Sequence, residues 1–176
     1  MKEEVLIVDG YNMIGAWPEL AALGDRSLED ARDRLVDLLS DYQGYSGNRI
    51  ILVFDAHQVP GLGGNYRQHK LELVYTKEKE TADSCIERLV TQLASRRRHI
   101  TVATNDNAEQ HVIFGKGALR QTARELLLNI QESQKLIQTT IKDTKQSNRQ
   151  VRNSFDSILS TDLKKMFENW RRGGKD

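Results

Sequence analysis

The sequence predicts an α/β protein, a three-layer α/β/α sandwich with a mostly parallel central sheet and a helical extension at the C-terminus. Two observations lead to this fold class. Short hydrophobic runs alternate along the chain with segments of helical periodicity, as expected when helices connect parallel strands through right-handed crossovers. The first run is continuously apolar, which is typical of a central strand buried on both faces.

The predicted strands are these short hydrophobic runs. They are Val5–Val8, Arg49–Phe54, Leu71–Tyr75 and Ile100–Ala103. The first is bounded by turn residues and followed by helical periodicity, so we place it at the centre of the sheet.

The predicted helices are segments in which apolar residues recur every three or four positions. They begin at the N-cap Ser27, at Thr81 and at Asn105 or Asp106, the last one reaching Phe114, and two more span Leu119–Ile141 and Phe155–Trp170. Residues 142–154 are polar and basic, and we interpret them as a flexible linker or a frayed helix end. The predicted domains are therefore residues 1–141 and a basic extension, residues 142–176.

Two loops are predicted as well. Residues 15–20 contain Trp17, which either forms a stacking platform or covers the core, and Pro18, which disfavours helix in the residue before it. The second loop is rich in glycine, spans residues 56–65 and contains His57. Loops of this length inside compact domains are often functional or mobile, so this one is a candidate for admitting a substrate.

Length and composition indicate one globular domain with an appendage. The chain has 176 residues, 38% of them hydrophobic, and one cysteine, Cys85, which is predicted to be a small buried side chain rather than a nucleophile. No hydrophobic run approaches the roughly 20 residues that cross a bilayer. The N-terminal residues lack the pattern of a signal peptide. We therefore expect a cytoplasmic protein with no membrane partner.

The charged residues are distributed unevenly, although the net charge is only +1. Residues 1–115 contain 13 Lys and Arg against 18 Asp and Glu, a net charge of −5, and residues 116–176 contain 13 against 7, a net charge of +6. An acidic catalytic face joined to a basic segment that binds a polyanion would have this pattern. Well-solvated helices would have it too, and they are the more common cause of a charge run.

Three of the predicted strands are followed by an acidic residue. Asp9 follows the first strand, Asp55 the second and Asp106 the last. Because ligands of open α/β sheets bind at the carboxyl ends of the strands, we expect these carboxylates to meet in one crevice. Asp83 lies in the first turn of a predicted helix on that side and can join them, although the helix dipole alone also favours an acid there.

Clustered carboxylates repel one another unless a cation neutralises them. Mg²⁺ prefers oxygen ligands and is typically held by one or two carboxylates together with waters and a substrate phosphate. Such ions activate water and stabilise the entering and leaving oxygens of a phosphodiester displacement. The acidic pattern therefore favours hydrolysis of phosphodiester bonds at a site for Mg²⁺ or Mn²⁺.

Other kinds of site fit the sequence less well. The four histidines are too widely spaced for a typical zinc site. The glycine-rich loop lacks the Gly-Lys-Ser/Thr end of a phosphate-binding loop, and no Gly-x-Gly-x-x-Gly follows the first strand, so no nucleotide cofactor is expected. A phosphomonoesterase with an aspartyl nucleophile also has an acid after the first strand, but the second Asp expected two residues later is Tyr11 here.

Four motifs carry a resemblance to a known family. They contain, in order, the sequences Asp9-Gly10-Tyr11-Asn12, Asp55-Ala56-His57, Glu80-Thr81-Ala82-Asp83 and Thr104-Asn105-Asp106. Over about residues 4–135 the chain resembles the NYN domain, a branch of the PIN-like nucleases, in its YacP-like bacterial subfamily. One such motif would be a weak signal, whereas four in order are specific. The resemblance implies a PIN-like α/β/α fold and a metal-dependent endoribonuclease.

The same resemblance assigns roles to individual residues. The acidic metal-binding residues are Asp9, Asp83 and Asp106. Asn12 matches the residue that orients the site beside the first acid. Asp55 and Glu80 match accessory acidic positions that differ among family members. We therefore expect Asp9, Asp83, Asp106 and Asn12 to be catalytic, with Asp55 and Glu80 as additional metal ligands.

RNA is the expected substrate, in bacterial RNA decay or processing. The basic residues Lys116, Arg120 and Arg124 are four positions apart and would form a ridge on one helix face, which either contacts the RNA backbone or is simply solvated. The basic C-terminal portion makes the ribosome, with its bound mRNA, a candidate partner. Two alternative functions stay open: an RNA- or ribosome-binding adapter with a vestigial site, and a phosphomonoesterase.

Overall fold

The computed structural model describes residues 2–56, 64–68, 71–77, 79–106, 115–158, 168 and 171, with only the backbone described for residues 64–68 and 145–158. Two compact units divide the chain, residues 1–134 and residues 135–176. The first unit contains all of the predicted site residues.

One six-stranded sheet organises the first unit. In chain order its strands are β1 (Glu3–Asp9), β2 (Arg49–Phe54), β3 (Gly64–Gln68), β4 (Leu71–Tyr75), β5 (Arg98–Ala103) and β6 (Leu119–Gln121). The spatial order is β3-β4-β2-β1-β5-β6, and neighbouring strands are parallel except for β3 and β4. The prediction of a mostly parallel sheet with β1 at its centre is confirmed. Strands β3 and β6 are absent from the sequence prediction.

Among the described residues there are five helices. They are α1 (Gly10–Ala16), α2 (Pro18–Gly24), α3 (Leu28–Ser46), α4 (Ala82–Leu93) and α5 (Ala123–Ile158). None of the described helices is both long enough and apolar enough to cross a membrane.

Side chains of β1 alternate between two hydrophobic cores, one on each face of the sheet. Leu6 and Val8 belong to the core that contains residues of α1, α2, α3 and the start of α5. Val5 and Ile7 belong to the core that contains residues of α4, including the buried Cys85. This alternation arises because successive side chains of a strand point to opposite faces. The three-layer α/β/α architecture and the burial of Cys85 are therefore confirmed.

The loop predicted at residues 15–20 is wrong, because two helices meet there. The side chain of Asp9 accepts a hydrogen bond from the backbone N–H of Asn12 and caps α1. Pro18 occupies the first position of α2, where its missing N–H costs no hydrogen bond. Trp17, between the two helices, is buried, and its Nε1–H donates to the carbonyl oxygen of Ala123 at 2.8 Å. Of the two roles predicted for Trp17, covering the core is the one observed.

The helix predicted from Leu119 begins instead at Ala123. Residues 119–121 form β6 and pair with β5 in parallel register. The helix start is set by a capping box: the hydroxyl of Thr122 accepts from the N–H of Glu125 at 3.2 Å, and the carboxylate of Glu125 accepts from the N–H of Thr122 at 2.7 Å.

Helix α5 continues into the second unit. Residues 142–154, interpreted from the sequence as a linker or a frayed helix end, are helical. The predicted domain boundary between residues 141 and 142 stays a prediction. Most of the predicted helix at residues 155–170, the short helix ending at Phe114 and most of the glycine-rich loop, including His57, lie outside the described residues.

We expect Gly10→Ala to destabilise the fold. A methyl group at Gly10 would overlap the ring of Phe54 and lie 2.9 Å from the carbonyl oxygen of Val53, so α1 and β2 would have to separate. Overpacking of this kind costs about 1–3 kcal/mol. Urea unfolding followed by circular dichroism measures the change in the free energy of unfolding.

Gly15→Ala is the matched control for this substitution. Gly15 lies in the same helix, and nothing lies within 4 Å of a methyl group added there. Its stability should be unchanged or slightly higher, since Ala favours helix more than Gly does. Equal losses in the two variants would contradict the close packing of Gly10 against β2.

Candidate active site

The carboxyl ends of β1, β2 and β5 bring three acids to one edge of the sheet. Asp9 is the last residue of β1, Asp55 directly follows β2, and Asp106 lies three residues beyond β5. These strands are parallel neighbours in the order β2-β1-β5. The sheet therefore places the ends of these three strands side by side, as expected from the sequence.

Asp9 is the buried member of this group, with 8% of its surface exposed. The pKa of its carboxyl group is raised to about 6, and the largest cause is burial, because removal from water disfavours the charged form. Within that net value, the hydrogen bond from the N–H of Asn12 lowers the pKa, and the negative charges of Asp83, Asp55 and Asp106 raise it. Of the four other predicted acids, Asp55, Asp83 and Asp106 therefore act electrostatically on Asp9.

Asp83 reaches this group from a helix rather than from a strand. It lies in the first turn of α4, whose N-cap Thr81 accepts a hydrogen bond from the N–H of Ser84 at 3.2 Å. The side chain of Asp83 is exposed, and its charge has the largest effect of the three acids on the pKa of Asp9. Of the three acids, Asp83 therefore opposes the ionisation of Asp9 most strongly.

Two buried threonines hold the backbone beside the acids. The hydroxyl of Thr76 donates to a carboxylate oxygen of Asp55 at 3.4 Å and accepts from the N–H of Ala56 at 2.9 Å. The hydroxyl of Thr104 accepts from the N–H of Asp106 at 3.0 Å. Neither threonine has a predicted role of its own. A detectable signal is that each directly follows a parallel strand, β4 or β5.

Glu80 has a different environment from the other predicted acids. Its carboxylate pairs with Arg88 at 2.9 Å and accepts from the backbone N–H of Lys77 at 3.1 Å. The hydrogen bond from Arg88 holds the pKa of Glu80 below its usual value. Glu80 therefore connects the loop before α4 to the helix itself.

Asn12 and Asn105 connect the elements around Asp9. The side-chain oxygen of Asn12 accepts from the N–H of Asn105 at 2.9 Å, and the side-chain oxygen of Asn105 accepts from the N–H of Ala123 at 2.9 Å. The cap predicted for Asn105 on a helix reaching Phe114 lies outside the described residues, but its contact with the start of α5 is observed. No local sequence signal predicts this contact between residues 18 positions apart.

The predicted ridge of three basic residues on one helix is wrong. Lys116 lies in a turn, Arg120 in β6 and Arg124 in the first turn of α5. The ammonium group of Lys116 is 2.7 Å from the carboxylate of Glu87. The guanidinium of Arg120 donates to the carbonyl oxygen of Thr104 at 3.2 Å, and Arg124 is exposed. Because strand and helix periods differ, equal spacing does not place these side chains in a row.

Comparison with known proteins agrees with the fold and the order of the motifs. The model of the YacP-like NYN domain family matches residues 6–172. This chain belongs to the YacP-like NYN family. It is 45% identical over 173 residues to the Bacillus subtilis (strain 168) protein described as "Uncharacterized protein YacP", covering 98% of this chain and 99% of that protein.

Crystal structures of Bacillus subtilis Rae1 (YacP) resemble this NYN protein closely. One has a TM-score of 0.74 and 44% identity, covering 96% of this chain and 95% of that chain. Another, of a tryptophan-to-leucine mutant of Rae1, has a TM-score of 0.72 and 46% identity, covering 80% of this chain and 82% of that one. The PIN-like nuclease fold implied by the sequence is thus supported over nearly the whole length.

The acids of this NYN protein suit a hard dication by their chemistry. The charges that act on Asp9 come from carboxylates, which are the ligands that Mg²⁺ and Mn²⁺ prefer. Within the described ranges, no three or more His, Cys, Asp or Glu side chains are arranged to hold a metal ion. Mg²⁺ is commonly bound by one or two carboxylates, with waters and phosphate completing its shell. Asp9 and one acidic neighbour would supply that number of carboxylates.

We expect Asp9→Asn to stabilise the metal-free protein at neutral pH. The pKa of Asp9 is raised in the fold, so ionisation costs stability as the pH rises from about 4 to about 6, up to about 3 kcal/mol. The difference between variant and wild type should be absent below pH 4 and complete above pH 6. Thermal unfolding in EDTA across this pH range measures it.

Asp37→Asn, on the exposed surface of α3, is the control and should show no such pH-dependent gain. Adding Mn²⁺ should raise the unfolding temperature of the wild type more than that of Asp9→Asn, because a ligand that binds only the folded state stabilises it. A wild type that is more stable than Asp9→Asn in EDTA at pH 8 would contradict the cost assigned to the buried carboxylate.

Proposed function

We propose that this protein is an endoribonuclease that hydrolyses RNA phosphodiester bonds with Mg²⁺ or Mn²⁺ bound by Asp9 and one acidic neighbour, Asp83 or Asp106, together with water and substrate phosphate. The observation that carries the proposal is the environment of Asp9: a buried carboxylate whose pKa is raised by burial and by the surrounding acids. Such a site destabilises its own negative charge, and a dication offsets that cost. Membership of a nuclease-like family supports the same activity.

Each side chain of the proposed site has a role that follows from its position in the fold. Asp9 would supply a carboxylate oxygen from β1, and Asp83 in α4 or Asp106 in the segment after β5 would supply a second. Asp55 is an accessory acid at the end of β2. A bound dication would acidify water and stabilise negative charge on the scissile phosphate. Asn12 directs its amide oxygen toward the N–H of Asn105, so its NH₂ group remains as a donor for a phosphate oxygen.

Glu80 is an additional ligand by family resemblance, but its contacts favour a supporting role. Arg88 and the N–H of Lys77 already occupy its carboxylate. We therefore assign Glu80 to holding the loop that leads into α4, which positions Asp83.

RNA as the substrate is supported by charge. Residues 116–176 have a net charge of +6, which suits an extended polyanion. Arg124 lies in the turn of α5 directly after Ala123, the residue bonded to Asn105. The cellular role that fits is RNA decay or processing in the bacterial cytoplasm, with ribosome-bound mRNA as one target.

The direct test uses purified protein and end-labelled RNA. We expect internal cleavage with Mn²⁺ or Mg²⁺ and none with EDTA. Asp9→Asn and Asp83→Asn should each lower the rate by roughly a hundredfold or more, as removal of a group that stabilises transition-state charge does elsewhere. Asp37→Asn should cleave at the wild-type rate.

Three results would contradict the proposal in different ways. Cleavage that persists both in EDTA and in Asp9→Asn would exclude the metal mechanism. Hydrolysis of a small aryl phosphate without RNA cleavage would identify a phosphomonoesterase instead. Binding of RNA without any cleavage in either metal would identify the non-catalytic adapter.

We expect Arg124→Gln to weaken RNA binding more than Lys116→Gln does. Arg124 is exposed, whereas Lys116 already donates to Glu87 at 2.7 Å and to the hydroxyl of Thr91 at 2.9 Å. Loss of one phosphate contact should lower the slope of log affinity against log salt by about 1. Fluorescence anisotropy with labelled RNA on the Asp9→Asn background measures both quantities without turnover.

Arg34→Gln is the matched control on the surface of α3, where Arg34 pairs with Glu19. It should leave both the affinity and the salt slope unchanged. An equal decrease in all three variants would show that the RNA responds to net charge rather than to a contact at the start of α5.

A further inference from the structure

Asn105 is hydrogen-bonded to two separate elements. Its backbone N–H donates to the side-chain oxygen of Asn12 in α1, and its own side-chain oxygen accepts from the N–H of Ala123, the first residue of α5; both distances are 2.9 Å. Asn105 itself lies in the segment after β5, directly before Asp106. One residue thus ties the end of a central strand to α1 and α5.

The peptide at Ala123 is held from a second side as well. Its carbonyl oxygen accepts from the indole N–H of the buried Trp17 at 2.8 Å. Trp17 directly follows α1, the helix that contains Asn12. The backbone N–H of Trp17 donates to the carbonyl oxygen of Met13 in that helix. The contacts therefore close a ring from Asn12 through Asn105, Ala123 and Trp17 back to α1.

This ring sets the orientation of the Asn12 amide. A backbone N–H can only donate, so the oxygen of the Asn12 side chain must face Asn105, and its NH₂ group must point elsewhere. The backbone N–H of Asn12 is meanwhile bonded to the carboxylate of Asp9 at 3.2 Å. A shift of Asn105 would therefore disturb Asn12 directly and Asp106 through the chain.

We propose that Asn105 is a positioning residue of the nuclease site. By bonding to Ala123 it holds residues 104–106 against the start of α5, and this fixes both the amide of Asn12 and the place of Asp106. The inference rests on the proposed function. Its measurable consequence is that loss of the Asn105 side chain slows the chemical step rather than weakening RNA binding.

The test compares Asn105→Ala with a variant that weakens the same helix start. Asn105→Ala removes the acceptor for Ala123 and keeps the backbone N–H that faces Asn12. Thr122→Ala removes the hydroxyl that accepts from Glu125, so it weakens the start of α5 without contacting Asn12. Asn105→Asp keeps an acceptor oxygen for Ala123.

We expect kcat for RNA cleavage by Asn105→Ala to fall by roughly ten- to a hundredfold, as small displacements of catalytic groups do. KM should change by less than about threefold, because the RNA contacts remain. Thr122→Ala, at a similar loss of Tm, should keep kcat within about threefold of wild type. Asn105→Asp should recover most of the activity lost in Asn105→Ala.

Equal losses of kcat in Asn105→Ala and Thr122→Ala would overturn the proposal and leave Asn105 as a helix cap. Hydrogen exchange measured by NMR gives a readout without activity: the amide of residue 105 should exchange faster in Asn105→Ala but not in Thr122→Ala. Unchanged protection would overturn the proposal whether or not RNA is cleaved. A wild type that cleaves no RNA with either metal would instead be a failure of the proposed function.

Discussion

The constraint on which the site depends is the burial of one carboxylate among others at the end of the central strand. Asp9 is 8% exposed, and burial together with three neighbouring acids brings its pKa to about 6. The fold therefore disfavours the ionised form that metal binding requires. Functional sites commonly retain such unfavourable groups at the expense of stability, which the surrounding structure must supply. In this protein the sheet and its two hydrophobic cores provide that stability.

Parallel pairing fixes where the acids can go. The register aligns Asp9 with Val53 of β2 and aligns Val8 with Ala103 of β5, so all three strands reach the same edge together. Gly10 then allows α1 to begin directly over Phe54, since any larger residue would collide with that ring. The acidic edge is consequently inseparable from close packing between α1 and β2.

Most of the acidic site could be predicted from the sequence because its signals are local. A hydrophobic run followed by an acid identifies Asp9 and Asp55, and a helix start identifies Asp83. The missing parts depend on contacts between distant segments. Strand β6 has three residues and exists because β5 offers a free edge.

The prediction of a basic ridge is wrong for a related reason. Its equal spacing assumed one helix across residues 116–124, whereas the chain changes from turn to strand to helix there. The hydrogen bond from the N–H of Ala123 to the side-chain oxygen of Asn105 could not be predicted either, because neither residue carries a local signal for the other. The sequence leaves two roles open for Trp17, and the hydrogen bond from its indole N–H to a carbonyl oxygen of α5 favours a role in covering the core.

Two ion pairs at α4 hold cations on acids other than Asp9. Arg88 is engaged by Glu80, and Lys116 is engaged by Glu87, so both cations are bound to acids of α4 or of the loop before it. The acids acting on Asp9 include Asp83 of the same helix. Two acids of α4 and the loop before it thus hold cations, whereas the charge of a third, Asp83, acts on Asp9. At pH 7 a group with a pKa of about 6 is about nine-tenths ionised, so a dication can bind there with little competition from protons.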